Sequence, residues 1–256
     1  LANFYERGEL LPIHAIAGPQ RTRSHFDAQD VLENGATRAH EASDGWLNRA
    51  LGLLQTDDRR LGLAVGYAVP TVLRGQVPVA SWAPARLPPS SGDLLIKLSR
   101  LYGDDPLLSR ALAEGRRAKS MATSVLGDTS AMARGNMRSS GRTKTLAEAA
   151  GRLLSADNGA RIGVIEMGGW DTHANQGRGS GRLAGNLAHL ADSLVALRNG
   201  LAPVWRHTVV AVVTEFGRTV RMNGTNGSDH GTAGAAFLVG GAVAGGRVAT
   251  RWPGLS

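Results

Sequence analysis

Two stretches of this 256-residue sequence decide its predicted fold: RIGVIEMGGWDTHANQG, residues 161–177, and HTVVAVVTEFGRTVRMNGTNGSDHGT, residues 207–232. Each opens with a short, mostly apolar run, 162–167 or 208–213, that is typical of a buried strand. Residues 182–201 lie between them and place leucines at helical spacing, namely Leu183, Leu187, Leu190, Leu194, Leu197 and Leu201. The order strand, helix, strand predicts two adjacent parallel strands with a right-handed connection. Open α/β sheets bind ligands beyond the carboxyl ends of such strands, which is where both stretches turn polar.

Composition limits the class of protein. The length and a hydrophobic content of 42% suffice for one sizeable α/β domain over residues 1–256. The net charge of +8 favours anionic partners, but scattered arginines and an aromatic content of 5% argue against nucleic acid. The sequence has no cysteine, so a metal ion would need His, Asp or Glu ligands. No apolar run approaches the roughly 20 residues of a membrane-spanning helix.

The rest of the chain alternates strand-like and helix-like segments. Residues 10–17 are predicted as an early buried strand, and helices are predicted over 24–35, 44–54, 93–102, 106–123 and 143–156. Pro70 weakens a central-strand interpretation of the apolar segment 61–73. A proline-rich composition predicts a loop over 78–92, and mixed Gly, Ser, Arg and Met residues predict a mobile linker over 127–141.

The main chemical signal is a pair of Asp/His motifs, one after each of the two apolar runs. Asp171 and His173 are two residues apart, so in an extended backbone their side chains point to the same side. Asp229 and His230 are adjacent in the second stretch. Either motif alone is as compatible with a solvated surface loop as with a ligand pair. Together, at the ends of neighbouring strands, they predict a site for two divalent ions such as zinc, manganese or magnesium.

Three further residues are candidates for the same site, and each has a structural alternative. Glu215 is a possible additional metal ligand and Arg218 a possible clamp for an anionic oxygen, but the two could equally form an ion pair at helical spacing. Ser24, with His25 after it, precedes a predicted helix whose N-terminus favours an anion. A serine in that place is more often a helix N-cap than a metal-activated nucleophile.

The motifs together resemble those of a known family. They are RSHFDAQ at 23–29, GGWDTHANQ at 168–176, TEFGRT at 214–219, GSDHG at 227–231, and GGRV at 245–248 with WPG at 252–254. In this order they are similar to the bacterial family called domain of unknown function 1501, which is grouped with the alkaline phosphatase and sulfatase superfamily.

The resemblance implies an alkaline phosphatase-like α/β fold, with a mostly parallel sheet flanked by helices, a two-metal site and export to the periplasm or the exterior by the twin-arginine route. It implies that Asp171 and His173 correspond to the superfamily's first Asp/His ligand pair and that Asp229 and His230 correspond to its adjacent Asp-His ligands. Ser24 takes roughly the place of the nucleophile. The resemblance also implies that the domain is incomplete at both ends, with an opening strand and a metal aspartate before residue 1 and a tail after residue 256.

These observations lead to two main hypotheses. The first is a metal-dependent hydrolase or transferase of phosphate or sulfate esters, in which metal ions activate Ser24 and Arg218 binds an anionic small-molecule ester or sugar derivative. The second is an exported, non-catalytic binding protein that keeps the fold. A basic nucleic-acid-binding protein is the least favoured reading of the charge.

Overall fold

The computed structural model describes residues 1–54, 61–84, 91–127 and 139–254. The helices are α1 (Ala2–Glu6), α2 (His25–Asn34), α3 (Trp46–Gly52), α4 (Gly92–Leu101), α5 (Pro106–Leu126), α6 (Ser139–Ser155) and α7 (Arg182–Gly200). The strands are β1 (Leu10–Ile16), β2 (Gly62–Val65), β3 (Ala80–Trp82), β4 (Ile162–Ile165), β5 (Val210–Val212) and β6 (Gly234–Val239). Short 3-10 helices cover Thr71–Leu73 and Trp205–His207. All the helices predicted from periodicity are confirmed to within a few residues, and the predicted linker lies mostly outside the described residues.

Three strands form a small parallel sheet in the order β3-β2-β4. Its middle strand, β2, is buried along its whole length, with Leu63 paired to Ala80 on one side and to Gly163 on the other. Pro70 was expected to argue against a central strand in the segment 61–73. That expectation is wrong, because β2 ends at Val65 and Pro70 lies outside it, directly before the 3-10 helix Thr71–Leu73. The loop predicted over 78–92 contains the edge strand β3, and its residues 85–90 lie outside the described residues.

The other three strands form an antiparallel sheet in the order β1-β6-β5. The predicted pairing of 162–167 with 208–213 is therefore wrong, since β4 pairs with β2 whereas β5 pairs with β6. The chain folds back after β5, so the later strand β6 returns antiparallel beside it. Nor is the run 208–213 buried as predicted: Val209 and Val213, which flank β5, are 54% and 52% exposed. The result is a mixed α/β fold in which the only extended parallel pairing of the described strands lies in one small sheet.

Helices α6 and α7 pack closely against each other and help to enclose one core that both sheets share. Glycine permits the close approach: a Cβ added at Gly200 would lie 2.4 Å from the carbonyl oxygen of Glu148. The leucine stripe of α7 buries Leu190, Leu194 and Leu197 in this core, each contributing about 1.5–3 kcal/mol by burial. The shared core includes Leu10 of β1, Ile165 of β4 and Val212 of β5, and the candidate site lies beyond the carboxyl ends of these strands. Among the helices within the described ranges, none has the length and apolarity needed to cross a lipid bilayer.

Candidate metal centre

Three loops supply the candidate site: residues 17–24 after β1, 166–181 after β4 and 213–233 after β5. The first loop leads directly into α2, whose opening residue is His25. Ser24 caps this helix, with its hydroxyl oxygen 3.5 Å from the backbone nitrogen of Asp27. The N-cap alternative for Ser24 is thus confirmed, and its role as a nucleophile stays a prediction.

The second and third loops are fastened together by backbone hydrogen bonds. The amides of Asn175 and Gln176 donate to the carbonyl oxygens of Thr225 and Asn226 at 3.0 and 2.9 Å. Gly227 allows the contact, because a Cβ there would lie 2.0 Å from the carbonyl oxygen of His173. The Gly/Asn-rich turn at 223–228 therefore has a structural task that its composition does not reveal: it fixes the backbone that carries His173.

A second backbone pairing lies within the third loop. Arg218 and His230 form an antiparallel bridge, and the amide of Gly231 donates to the carbonyl oxygen of Gly217 at 2.8 Å. Paired residues of antiparallel segments project to the same side. The bridge thus places the guanidinium and the imidazole next to each other, facing the second loop.

The side chains meet at the carboxylate of Asp171. Its Oδ1 lies 3.0 Å from His173 Nε2 and 3.1 Å from His230 Nε2, and its Oδ2 lies 3.5 Å from His25 Nε2. The Nε2 atoms of His173 and His230 are 3.0 Å apart, and Asp229 Oδ1 is 3.1 Å from His173 Nδ1. The predicted convergence of the two Asp/His motifs is confirmed as geometry. Their binding of metal stays a prediction.

His25 is the residue that sequence reasoning missed. In the sequence it is only the neighbour of Ser24, yet its ligand atom lies within 4.8 Å of those of Asp171 and His230, close enough for one ion. The only sequence signal was its position at the start of the helix that follows an early strand. We call Asp171, His25, His173 and His230 the imidazole cluster.

A ring of oxygen atoms lies behind the three imidazoles. Nδ1 of His25 is 2.6 Å from Glu215 Oε1, and Nδ1 of His230 is 2.7 Å from the carbonyl oxygen of Arg23. On His173 the corresponding oxygen is Oδ1 of Asp229, which also accepts a hydrogen bond from the Asn223 side chain at 2.9 Å. Glu215 and Asp229 are both predicted as metal ligands. In the structure they instead contact the Nδ1 atoms of His25 and His173, on the side of each ring away from Asp171.

Arg218 is engaged by the site itself. Its Nη1 contacts Asp171 Oδ1, its Nε lies 3.3 Å from Ser228 Oγ, and its Nη2 contacts the Ser228 carbonyl oxygen. Its carboxylate partner is Asp171, so the alternative of an ion pair with Glu215 is wrong. The guanidinium therefore joins the Asp171 carboxylate to Ser228 of the third loop.

Three carboxylates and one guanidinium leave two net negative charges here when the imidazoles are neutral. Burial acts to raise the pKa of Asp171, but the hydrogen bond and the positive charge of Arg218 act the other way, and that pKa is lowered to about 2. Burial also acts to raise the pKa of Glu215, and hydrogen bonds, including one from His25, lower it overall. Hydrogen bonds from Asn223 and His173 lower the pKa of Asp229. All three groups are therefore anionic at neutral pH, which suits a cation.

A cavity of about 320 Å³ borders the cluster. It shares Glu215 and Phe216 with the site, and apolar side chains including Ile16, Val31, Leu32 and Val213 contribute much of its lining. The ring of Phe216 lies 4.8 Å from that of His25 and 4.7 Å from that of His230, between the cavity and the imidazoles. An apolar space beside a charged cluster is a common layout for small-molecule sites.

Comparisons with known proteins bear on the family alone. Searches among curated proteins and among solved structures found no match. The family resemblance drawn from the motifs is confirmed: residues 15–256 match the family described as "Protein of unknown function (DUF1501)", and the chain belongs to that family.

Proposed function

We propose that this protein is a metal-dependent hydrolase or transferase of phosphate or sulfate esters. The observation that supports it best is the convergence of three imidazoles on Asp171, from the start of α2 and from two loops. The ligand atoms of His25, Asp171 and His230 lie within 4.8 Å of one another, and His173 Nε2 lies 3.0 Å from Asp171 Oδ1 and from His230 Nε2. A structural role would not need three imidazoles around one carboxylate on a partly exposed surface. Mixed nitrogen and oxygen donors of this kind suit zinc and related divalent ions.

The chemistry required by such esters matches the site. A divalent ion bound at the cluster would polarise an ester oxygen and offset the negative charge that would otherwise repel an anionic substrate. Arg218 keeps Asp171 ionised and oriented, and its remaining N–H groups are suited to an anionic oxygen. Ser24, at the N-terminus of α2 next to His25, is the candidate nucleophile in this proposal.

The apolar cavity suggests what the substrate carries besides its anionic group. Because the cavity adjoins Glu215 and Phe216, an ester anchored at the cluster could place an aryl or branched alkyl group there. We therefore expect aryl phosphates or sulfates to be turned over with a higher kcat/KM than methyl esters of the same acid. The proposal also retains an alkaline phosphatase-like arrangement and export from the cytoplasm, on the strength of the motif resemblance.

The test is a panel of aryl phosphates and aryl sulfates, assayed with chelator-treated protein and after adding zinc, manganese or magnesium. We expect turnover only after metal is added, and none in Asp171→Asn. Ser24→Ala separates two versions of the chemistry: it should abolish turnover without changing metal content if Ser24 is the nucleophile. Metal binding without turnover of any ester would contradict the proposal and favour the non-catalytic binding protein.

A further inference from the structure

We infer that the imidazole cluster is a single-ion site in which His25, His173 and His230 bind through Nε2 together with Asp171, while Glu215 and Asp229 are positioning residues behind the imidazoles. This rests on the metal dependence proposed above and adds to it the ligand set and the class of metal. It also departs from the sequence expectation, in which Glu215 and Asp229 bind metal directly, His25 has no part, and two ions are present.

The first step concerns the proton on His230. Its Nδ1 lies 2.7 Å from the carbonyl oxygen of Arg23, and a carbonyl oxygen can only accept a hydrogen bond. The proton of a neutral His230 must therefore be on Nδ1. A lone pair is left on Nε2, the atom that faces Asp171.

The same reasoning assigns the other two imidazoles. Nδ1 of His25 faces a carboxylate oxygen of Glu215 at 2.6 Å, and Nδ1 of His173 faces one of Asp229 at 3.1 Å. An ionised carboxylate only accepts, so each Nδ1 carries the proton. A histidine that binds metal through one nitrogen commonly donates its other N–H to a carboxylate or a carbonyl oxygen, which orients the ring. All three imidazoles show that arrangement.

The Nε2 atoms of the three histidines and the carboxylate of Asp171 are therefore all hydrogen-bond acceptors that lie close together. The lone pairs on Nε2 of His173 and His230 face each other across 3.0 Å, and both face the negative carboxylate of Asp171. His25 Nε2 is buried and has no hydrogen-bond partner among the described residues, although Asp171 Oδ2 lies 3.5 Å away. Neutral acceptors at these distances repel one another unless they share a cation. A divalent cation bound among these acceptors would relieve the repulsion.

The donor set also selects the class of metal. Three imidazole nitrogens and one carboxylate oxygen suit zinc, cobalt or a similar first-row ion. Magnesium prefers near-octahedral oxygen ligands and keeps much of its water, so it fits this set poorly. We therefore expect zinc or cobalt to bind, and magnesium to compete weakly.

The competing explanation is that the imidazoles share extra protons and bind no metal. Zinc content and affinity distinguish the two when measured on the intact chain and on His25→Ala, Glu215→Gln and Asp229→Asn. His207→Ala is the matched control, because His207 is an exposed histidine of the 3-10 helix away from the cluster. The wild type and the control should hold one zinc per chain after dialysis. Glu215→Gln and Asp229→Asn should still hold one, with affinity lowered about 10–100-fold, whereas His25→Ala should lose stoichiometric zinc.

X-ray absorption of the zinc-loaded wild type gives a readout that needs no variant, and three imidazoles per zinc are expected, at about 2.0–2.1 Å. Several outcomes would overturn the inference: two zinc ions per wild-type chain, fewer than three imidazoles, wild-type affinity in a folded His25→Ala, or complete loss of zinc in Glu215→Gln or Asp229→Asn. Those results would leave metal-dependent hydrolysis standing. A wild type that binds no zinc or cobalt would overturn the ligand set, and metal-dependent hydrolysis with it if no other ion bound.

Discussion

At the scale of single residues, one carboxylate organises the site, because Asp171 lies against three imidazoles and the Arg218 guanidinium. Asp171, His173, Asp229 and His230 were recognisable because two Asp/His motifs followed two strand-like runs. His25 was not, since a lone histidine beside an N-cap serine carries no pattern, and only the fold brings it within 3.5 Å of Asp171. The roles of Glu215 and Arg218 were likewise unreadable from spacing, because their contacts are made across loops that lie far apart in the chain.

Substitution of Arg218 tests whether its guanidinium holds Asp171 in place. Because its guanidinium bridges Asp171 and Ser228, Arg218→Lys removes at least one of these contacts and should lower zinc affinity by about tenfold or more as well as reducing ester turnover. Arg221→Lys, an exposed arginine of the same loop, is the control and should change neither. Zinc titration and steady-state kinetics measure the two effects. A variant with normal zinc affinity and a raised KM alone would show that Arg218 only clamps substrate.

The lowered pKa values predict how the metal-free protein responds to acid. A carboxylate with a pKa below its unfolded value stabilises the fold above the unfolded pKa, and this contribution is lost as the pH falls through the folded pKa. For Asp171 that window runs from about 3.8 down to about 2, and Glu215 and Asp229 shift in the same direction. The free energy of unfolding, measured by urea titration, should fall across this window. The fall should be shallower in Asp171→Asn, and equal slopes would contradict the contacts assigned to Asp171.

At the scale of elements, the periodicity of apolar residues predicted the helices but could not predict which strands pair. The cap of α2 is a local pattern and is confirmed, as is most of the leucine stripe of α7, in which Leu187 is 40% exposed. Strands β4 and β5 have only four and three residues, and their partners are set by the later return of β6 and by the buried β2. Such short strands carry too little alternation to specify a partner, so the predicted parallel pair was wrong.

One added methyl group tests whether the backbone contact between the loops 166–181 and 213–233 holds His173 in place. Gly227→Ala would place a Cβ 2.0 Å from the His173 carbonyl oxygen, so we expect a loss of about 1–3 kcal/mol in unfolding free energy and weaker zinc binding. Gly224→Ala is the matched control in the same turn, because nothing lies within 4 Å of a Cβ there. Urea unfolding and zinc titration give the two readouts. Equal behaviour of the two variants would mean that the turn does not hold His173 in place.

At the scale of the whole molecule, two small sheets share one core, and the loops at their ends form a single site. The motif order along the sequence was enough to predict the family, which is confirmed over residues 15–256. The arrangement of the sheets was not predictable, because it depends on which strand edges meet after the chain has returned several times. The apolar cavity beside Phe216 is a product of that arrangement, since α2 and the ends of β1 and β5 contribute to its walls.

We propose that one divalent ion, held where three imidazoles meet Asp171, enables this chain to hydrolyse anionic esters. The most direct measurement is the rate of aryl phosphate and aryl sulfate hydrolysis as zinc is added to chelator-treated protein. We expect the rate with at least one of these esters to rise in proportion to zinc, to level off at one equivalent per chain, and to stay at zero throughout in Asp171→Asn. Full activity before any metal is added, or no activity at saturating zinc, would contradict it.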